Sequence, residues 1–250
     1  MIGDKFKPLK CKSFKGYTVS ETRALLSSVI NEGRKFLLEP EAKRLCASYG
    51  IPVTNFKMAK NIEEAVKYAH EIGYPVVVKV VSPDILHKTD VGGVVLNINN
   101  DEELEKACNM INSNVRKYRP RARILGYLIE EYAPSSIEVI VGVKMDPQFG
   151  HVIMFGLGGV FVEILKDVTF RILPITDDDA EEMIHEIRGY PLLVGYRGQP
   201  PVDIVTIKEI ILKVSNMVME NPVIKELDLN PIRVYSKGAK VLDARVILAN

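Results

Sequence analysis

The sequence predicts a mixed α/β (α+β) protein built of two lobes. Three patterns carry that expectation: a strand–helix–strand order between residues 75 and 131, closely spaced strands from Ile137 onward, and a terminal β-hairpin. Residues 1–20 hold Lys5, Lys7, Lys10, Lys12 and Lys15, few large apolar side chains and no period, which reads as an N-terminal extension. A short helix is expected from Pro40 to Tyr49, with Ala42, Leu45, Cys46 and Tyr49 on one face, Gly50 as its stop and Pro52 beyond. Asn61 and Glu64 open a second helix whose stripe is Ile62, Ala65, Val66, Ala69 and Ile72, ending at Gly73. The β-branched run Pro75–Val81 is short enough for a buried strand. Asn100 and Glu103 begin a third helix with Leu104, Ala107, Cys108 and Ile111 on its face, followed by a strand at Leu125–Glu131.

A second lobe is expected to start near residue 132. Its strands are Ile137–Lys144 and His151–Phe155, joined by a turn-prone segment at residues 145–150. Then come a helix after Thr176, an irregular Gly- and Pro-rich segment at Gly189–Pro201, and a helix from about Thr206 to Met219. In the last hairpin, alternation puts Asp228 and Asn230 on one face of the first strand. If Lys237-Gly238 is a two-residue turn, Ser236 pairs with Ala239, Asn230 lies opposite Arg245, and Asp243 is one diagonal step from Asn230.

At 250 residues, 47% apolar and 26% charged, the composition is that of an ordinary globular protein able to bury a large core. A net charge of +1 gives no reason to expect nucleic acid or an anionic membrane as partner. Cys11, Cys46 and Cys108 are odd in number and far apart, so neither a disulfide framework nor a zinc site is expected. No apolar run approaches the ~20 residues of a membrane helix, and the first residues lack a signal-peptide core. These features point to a reducing cytoplasm.

Five features could carry chemistry. Asp228, Asn230 and Asp243 are hard oxygen donors with no thiol or imidazole among them, a set that suits Mg²⁺ between a carboxylate and nucleotide phosphates; a solvated edge hairpin is the alternative. Lys79 stands mid-way along an apolar strand, where an unpaired ammonium would cost several kcal/mol, so it needs an anion: a structural carboxylate or a phosphate. His87 lies in the polar loop His87-Lys-Thr-Asp-Val-Gly-Gly93, where glycine amides can approach a phosphate and an imidazole can act as nucleophile or acid–base group. His87 has the best claim among the histidines, since His70, His151 and His185 lack such a polar cluster. Phe155-Gly-Leu-Gly-Gly-Val160 is a second glycine cluster, and Glu130, Glu131 and Glu138 flank the link between the expected lobes, where strand-end amides can pair with a purine edge and a carboxylate with ribose hydroxyls.

Taken in order, these motifs resemble the ATP-grasp fold, in which two α/β lobes hold a nucleotide between them. More narrowly, the chain resembles the β subunit of ADP-forming acetyl-CoA (acyl-CoA) synthetase, a relative of succinyl-CoA synthetase β, from about Glu39 to Leu248. The resemblance rests on Pro75–Lys79, His87–Gly93, Leu128–Glu131, Phe155–Glu163, Glu226–Pro231 and Leu242–Ala244 in sequence. It implies a small lobe at 51–131 and a large lobe at 21–50 with 132–250. It implies that Lys79 contacts ATP phosphates, that Glu130, Glu131 and the backbone through Ala133 hold the adenine, and that Glu138 holds the ribose. It further implies that the Gly158-Gly159 amides neutralise phosphate charge, that Asn230 and Asp243 bind Mg²⁺, and that His87 is a transient phosphoryl carrier. His87 stands where the succinyl enzyme has an arginine-containing glycine-rich loop, and the chain ends at Asn250 without that relative's following domain. The implied partner is therefore a separate α subunit carrying the CoA-binding domains and a first phosphohistidine, in an α₂β₂ assembly. The implied reaction is acyl-CoA + ADP + phosphate to acid + ATP + CoA, with the Pro83–Gly93 loop as the moving part. A self-contained carboxylate–amine ligase and a non-catalytic nucleotide-sensing subunit are the rival readings.

Overall fold

Runs of β-branched residues separated by capped helices give a chain of short, well-punctuated elements. The computed structural model describes residues 18–159 and 166–249; residues 1–17 of the expected extension and Val160–Glu163 of the second glycine motif lie outside them. By its contacts the chain divides into two units, one of Leu38–Pro40 and Thr54–Pro134, the other of the residues up to Leu37, Glu41–Val53 and Ser135 onward.

The smaller unit contains β1 (Phe56–Ala59), α3 (Ile62–Ile72), β2 (Val76–Val81), a 3₁₀ turn at Thr89–Val91, β3 (Val94–Ile98), α4 (Asp101–Tyr118) and β4 (Gly126–Glu131). Its sheet has the order β1-β4-β2-β3, antiparallel throughout. Asn61 caps α3 by accepting the Glu64 N–H at 2.8 Å, and Asn100 caps α4 by accepting the Glu103 N–H at 2.9 Å. Gly73, at φ 95°, ends α3 in a conformation that side chains disfavour. Ala65, Ala69, Leu104, Ala107, Cys108 and Ile111 pack onto Val76, Val78 and Val80. Every residue of β2 is buried, Lys79 included.

The larger unit holds α1 (Val19–Asn31), most of α2 (Glu39–Ser48), β5 (Ile137–Asp146), β6 (Gly150–Leu157) and β7 (Val168–Ile172). It continues with α5 (Asp177–Glu186), α6 (Tyr190–Leu193), α7 (Ile204–Glu220), β8 (Ile224–Val234), β9 (Ala239–Val241) and β10 (Ala244–Leu248). Its sheet runs β10-β8-β5-β6-β7, with β9 also paired to β8. Val139, Val141, Val143, Ile153, Phe155, Leu227 and Leu229 face a core shared with Leu45, Tyr49, Met183, Ile207, Ile211 and Val214. The intervening residues of β5 and β8 therefore occupy the opposite face, among them Glu138, Asp228 and Asn230.

The hairpin register differs from the expected one. Val234 pairs with Ala239 and Leu229 with Ala244, so Ser236-Lys237 are the central turn residues, two positions from the expected register. The Tyr235 N–H donates to the Gly238 carbonyl at 3.0 Å, and the Gly238 N–H donates to the Asp203 carboxylate at 2.8 Å. Gly238, at φ 79°, serves as the closing residue. Because the shift is even, the faces are unchanged.

Candidate functional site

The register correction brings two of the expected metal ligands closer. The Asn230 N–H donates to the Asp243 carbonyl at 3.3 Å, one step beyond the Leu229–Ala244 pair, so these residues lie directly opposite with side chains on one face. Asn230 is exposed and Asp243 half-buried. Asp228, on the same face two residues before Asn230, pairs across with Arg245, whose guanidinium lies 3.9 Å from its carboxylate. No cluster of three His, Cys, Asp or Glu side chains able to hold a metal occurs among the described residues. An accessible amide oxygen and a carboxylate side by side fit Mg²⁺, which keeps waters and phosphate oxygens in its remaining positions, better than an ion requiring an all-protein cage.

In the same unit, Glu138 and the glycine loop are in contact. The Gly158 N–H donates to the Glu138 carbonyl at 2.7 Å, and a Cβ on Gly158 would sit 3.1 Å from the Glu138 carbonyl carbon. Gly159, at φ 63°, would place a Cβ 3.5 Å from Glu138 Oε2. Glu138 Oε1 also accepts from Arg233 Nε at 3.0 Å, a partner without a local sequence signal.

In the smaller unit, the anion required by Lys79 is a pair of carboxylates. Lys79 Nζ lies 2.6 Å from Glu39 and 3.1 Å from Glu130, and Lys88 Nζ lies 2.8 Å from the other oxygen of Glu39. The order Lys88–Glu39–Lys79–Glu130 alternates charge along a nearly water-free chain, in which the Glu39 and Glu130 side chains are 1% and 3% exposed. Glu39 begins α2, where the helix dipole favours a carboxylate. Glu39 and Lys88 escaped the sequence reading because Glu39 is forty positions from Lys79 and nothing in its surroundings marks it. Glu131 exchanges hydrogen bonds with Asn55: its N–H donates to the Asn55 carbonyl at 2.9 Å, and its carboxylate accepts the Asn55 N–H at 2.6 Å. Ala133 is buried two residues beyond the end of β4.

His87 is exposed in the loop after β2. The other three histidines are occupied: His70 with Asp101 at 3.0 Å, His151 with the Ile224 carbonyl at 2.6 Å, and His185 with the Tyr190 hydroxyl at 2.9 Å. His87 makes no hydrogen bond or ion pair with a described residue. The loop expected to move is fixed on both sides of it. Asp84 accepts the Arg123 N–H at 2.8 Å, which holds its carboxyl below the usual range, and Ile85 is buried. On the far side, the Lys88 carbonyl accepts the Gly93 N–H at 2.7 Å, and a Cβ on Gly93 would come within 2.6 Å of Val80.

A family model described as the ATP-grasp domain matches residues 28–248. The β subunit of ADP-forming acetate–CoA ligase I from Pyrococcus furiosus is 54% identical over 230 residues, covering 92% of this chain and 99% of that one. This chain belongs to that ATP-grasp family of β subunits. Among solved structures, the ATP-grasp chain is similar to a dinucleotide-forming acetyl-coenzyme A synthetase 1 of Ca. Korarchaeum cryptofilum in complex with coenzyme A and Ca-AMPCP. That match has a TM-score of 0.89 and 52% identity, and covers 91% of this chain and 100% of that one. A second structure of the same synthetase, with coenzyme A and Mg-AMPPCP, has its phosphohistidine segment pointing towards the nucleotide binding site. It matches with a TM-score of 0.81 and 49% identity, again over 91% and 100% of the two chains.

Proposed function

We propose that this chain is the nucleotide-binding subunit of an ADP-forming acyl-CoA synthetase, passing a phosphoryl group between His87 and ADP or ATP. The net reaction converts acyl-CoA, ADP and phosphate into free acid, ATP and CoA, with CoA chemistry on an α partner in a cytoplasmic α₂β₂ assembly. No helix among the described residues is long and apolar enough to cross a membrane.

The observation that carries this reading is the isolation of His87. It is the one histidine not held by another described residue, and it adjoins Lys88 in the ion chain that contains Lys79. An imidazole that must accept and release a phosphoryl group needs an accessible ring nitrogen. In the proposed step, an oxygen of the ADP β-phosphate attacks phosphorus on the His87 ring nitrogen. A P–O bond forms, the N–P bond breaks, and the nitrogen recovers a proton from water. Such transfers depend on alignment and on neutralising the phosphoryl oxygens.

Lys79 is assigned to the nucleotide phosphates, Glu130, Glu131 and the backbone through Ala133 to the adenine, and Glu138 to the ribose. The Gly158 and Gly159 backbone is assigned to phosphate charge. Asn230 and Asp243 are the residues that would hold Mg²⁺, which when bound supplies positive charge to the phosphate oxygens. Glu138 keeps Arg233 beside the glycine loop, and the buried carboxylates hold the Lys79 ammonium in one place, so neither cation has to be ordered when a nucleotide arrives.

The deciding experiment combines this chain with its α partner and measures ATP formation from acetyl-CoA, ADP and phosphate. His87→Ala is expected to bind Mg·ADP with unchanged affinity and to lose ATP synthesis. Turnover near the unsubstituted rate would remove His87 from the mechanism.

A further inference from the structure

The histidine that must travel is bracketed by anchors only three residue steps apart. Upstream, Ile85 is buried in the core of the smaller unit and Asp84 is fastened to the Arg123 backbone. Downstream, Lys88 is held twice: its carbonyl accepts the Gly93 N–H at 2.7 Å, and its ammonium lies 2.8 Å from Glu39 Oε2. Leu86 and His87, both exposed, are what remains between. Three steps of extended chain reach about 10–11 Å end to end, so while Lys88 is held the imidazole can move only a few ångströms. If Lys88 lets go, the next anchor is Val91, buried in the same core as Ile85, so the free segment runs six steps with a contour of roughly 20 Å.

The grip on Lys88 is also tied to the assigned phosphate-binding group. Glu39 is 1% exposed and divides its two oxygens between Lys88 and Lys79, at 2.8 and 2.6 Å. The loop is therefore latched through the same carboxylate that holds Lys79. A phosphate drawing on the Lys79 or Lys88 ammonium competes with Glu39 for it, which gives the latch a way to respond to the reaction.

We propose that Glu39 is a positioning residue that latches the His87 segment through Lys88, and that opening the Lys88–Glu39 pair, together with the turn bond from Gly93 to the Lys88 carbonyl, frees His87 to exchange its phosphoryl group with the partner. This inference rests on His87 being the phosphoryl carrier. Latched, His87 stays beside the ion chain that holds Lys79, the group assigned to the nucleotide phosphates; unlatched, it can leave.

The test follows phosphohistidine formation on this chain in the assembled complex by rapid quench, from each side separately. One arm uses Mg·ATP, the other acetyl-CoA with labelled phosphate. Lys88→Met removes the latch while leaving Glu39 paired with Lys79. It is expected to slow labelling from Mg·ATP at least tenfold, to leave labelling from acetyl-CoA within twofold or faster, and to be rescued by Lys88→Arg. Glu39→Gln, of the same shape, is expected to show the same asymmetry wherever its melting temperature shows it folded. Equal slowing in both arms would mark a merely structural pair, and no slowing in either would leave the latch without a role; both outcomes overturn the proposal. A His87→Asn control separates the two readings: if unsubstituted complex and control carry the same label, His87 is not the carrier and the latch falls with it.

Discussion

Replacing Lys79 with methionine should destabilise the smaller unit by an amount that follows from its ion chain. Lys88, Glu39, Lys79 and Glu130 sum to zero charge, and the side chains of Glu39, Lys79 and Glu130 are all under 10% exposed. Methionine keeps most of the buried stem but removes the ammonium, leaving a net charge of −1 and taking from Glu130 the cation at 3.1 Å. Removing one member of a buried ion pair costs about 3–5 kcal/mol, because the other is left in a medium that solvates it poorly. For chains of this size that corresponds to a fall in melting temperature of roughly 6–20 °C. The assay is thermal unfolding followed by circular dichroism, with Glu130→Gln added on the Lys79→Met background. Neutralising the Glu130 carboxylate should recover at least half of the loss, since the remaining Lys88–Glu39 pair is again neutral. A fall equivalent to less than about 1 kcal/mol, or a double variant less stable than the single one, would refute the reasoning.

Other outcomes follow from the same geometry. Asp243→Ala should weaken Mg·ADP binding by about tenfold or more in calorimetric titration, the worth of one lost charged ligand, while metal-free ADP binds as before; equal affinity for Mg·ADP would count against the ligand assignment. Gly158→Ala puts a methyl 3.1–3.2 Å from Glu138 and should lower stability by about 1–3 kcal/mol in denaturant titration; an unchanged midpoint would show that this contact yields and does not require glycine. Acid should weaken the fold through Asp203, whose carboxyl is held low first by the Gly238 N–H and next by the Thr206 N–H. A lowered folded-state value means that this contribution is complete above the unfolded value near 4 and fades as pH falls through the folded one. Asp203→Asn should flatten that part of the stability–pH curve, and a curve of unchanged shape would show that the turn does not depend on this carboxylate.

Much of the architecture was legible because it is local. Asn61 and Asn100 announce helix starts three residues before a glutamate, and their caps are present. The alternation of Leu227 and Leu229 with Asp228 and Asn230 fixes the faces of β8 whatever its partner. What was not legible depends on distant groups. Lys237-Gly238 reads as a two-residue turn, but the Asp203 carboxylate takes the Gly238 N–H, and the register settles two positions away. The strand β1 is four residues long and only its last is buried, and β3 follows the glycine pair so closely that it reads as part of the loop. For the candidate site, the demand of Lys79 for an anion was readable from burial alone. The identities of Glu39 and Lys88, and the Arg233 partner of Glu138, were not, because each contact joins segments that only the tertiary fold brings together.

The central claim is that His87 carries a phosphoryl group on its way to ADP. The most direct measurement assembles the chain with its α partner, adds acetyl-CoA and ³²P-labelled phosphate without nucleotide, and locates acid-labile label on this chain by peptide mapping. Label at His87 that passes to ADP on adding Mg·ADP is the predicted result; label absent from His87 while ATP still forms would contradict it.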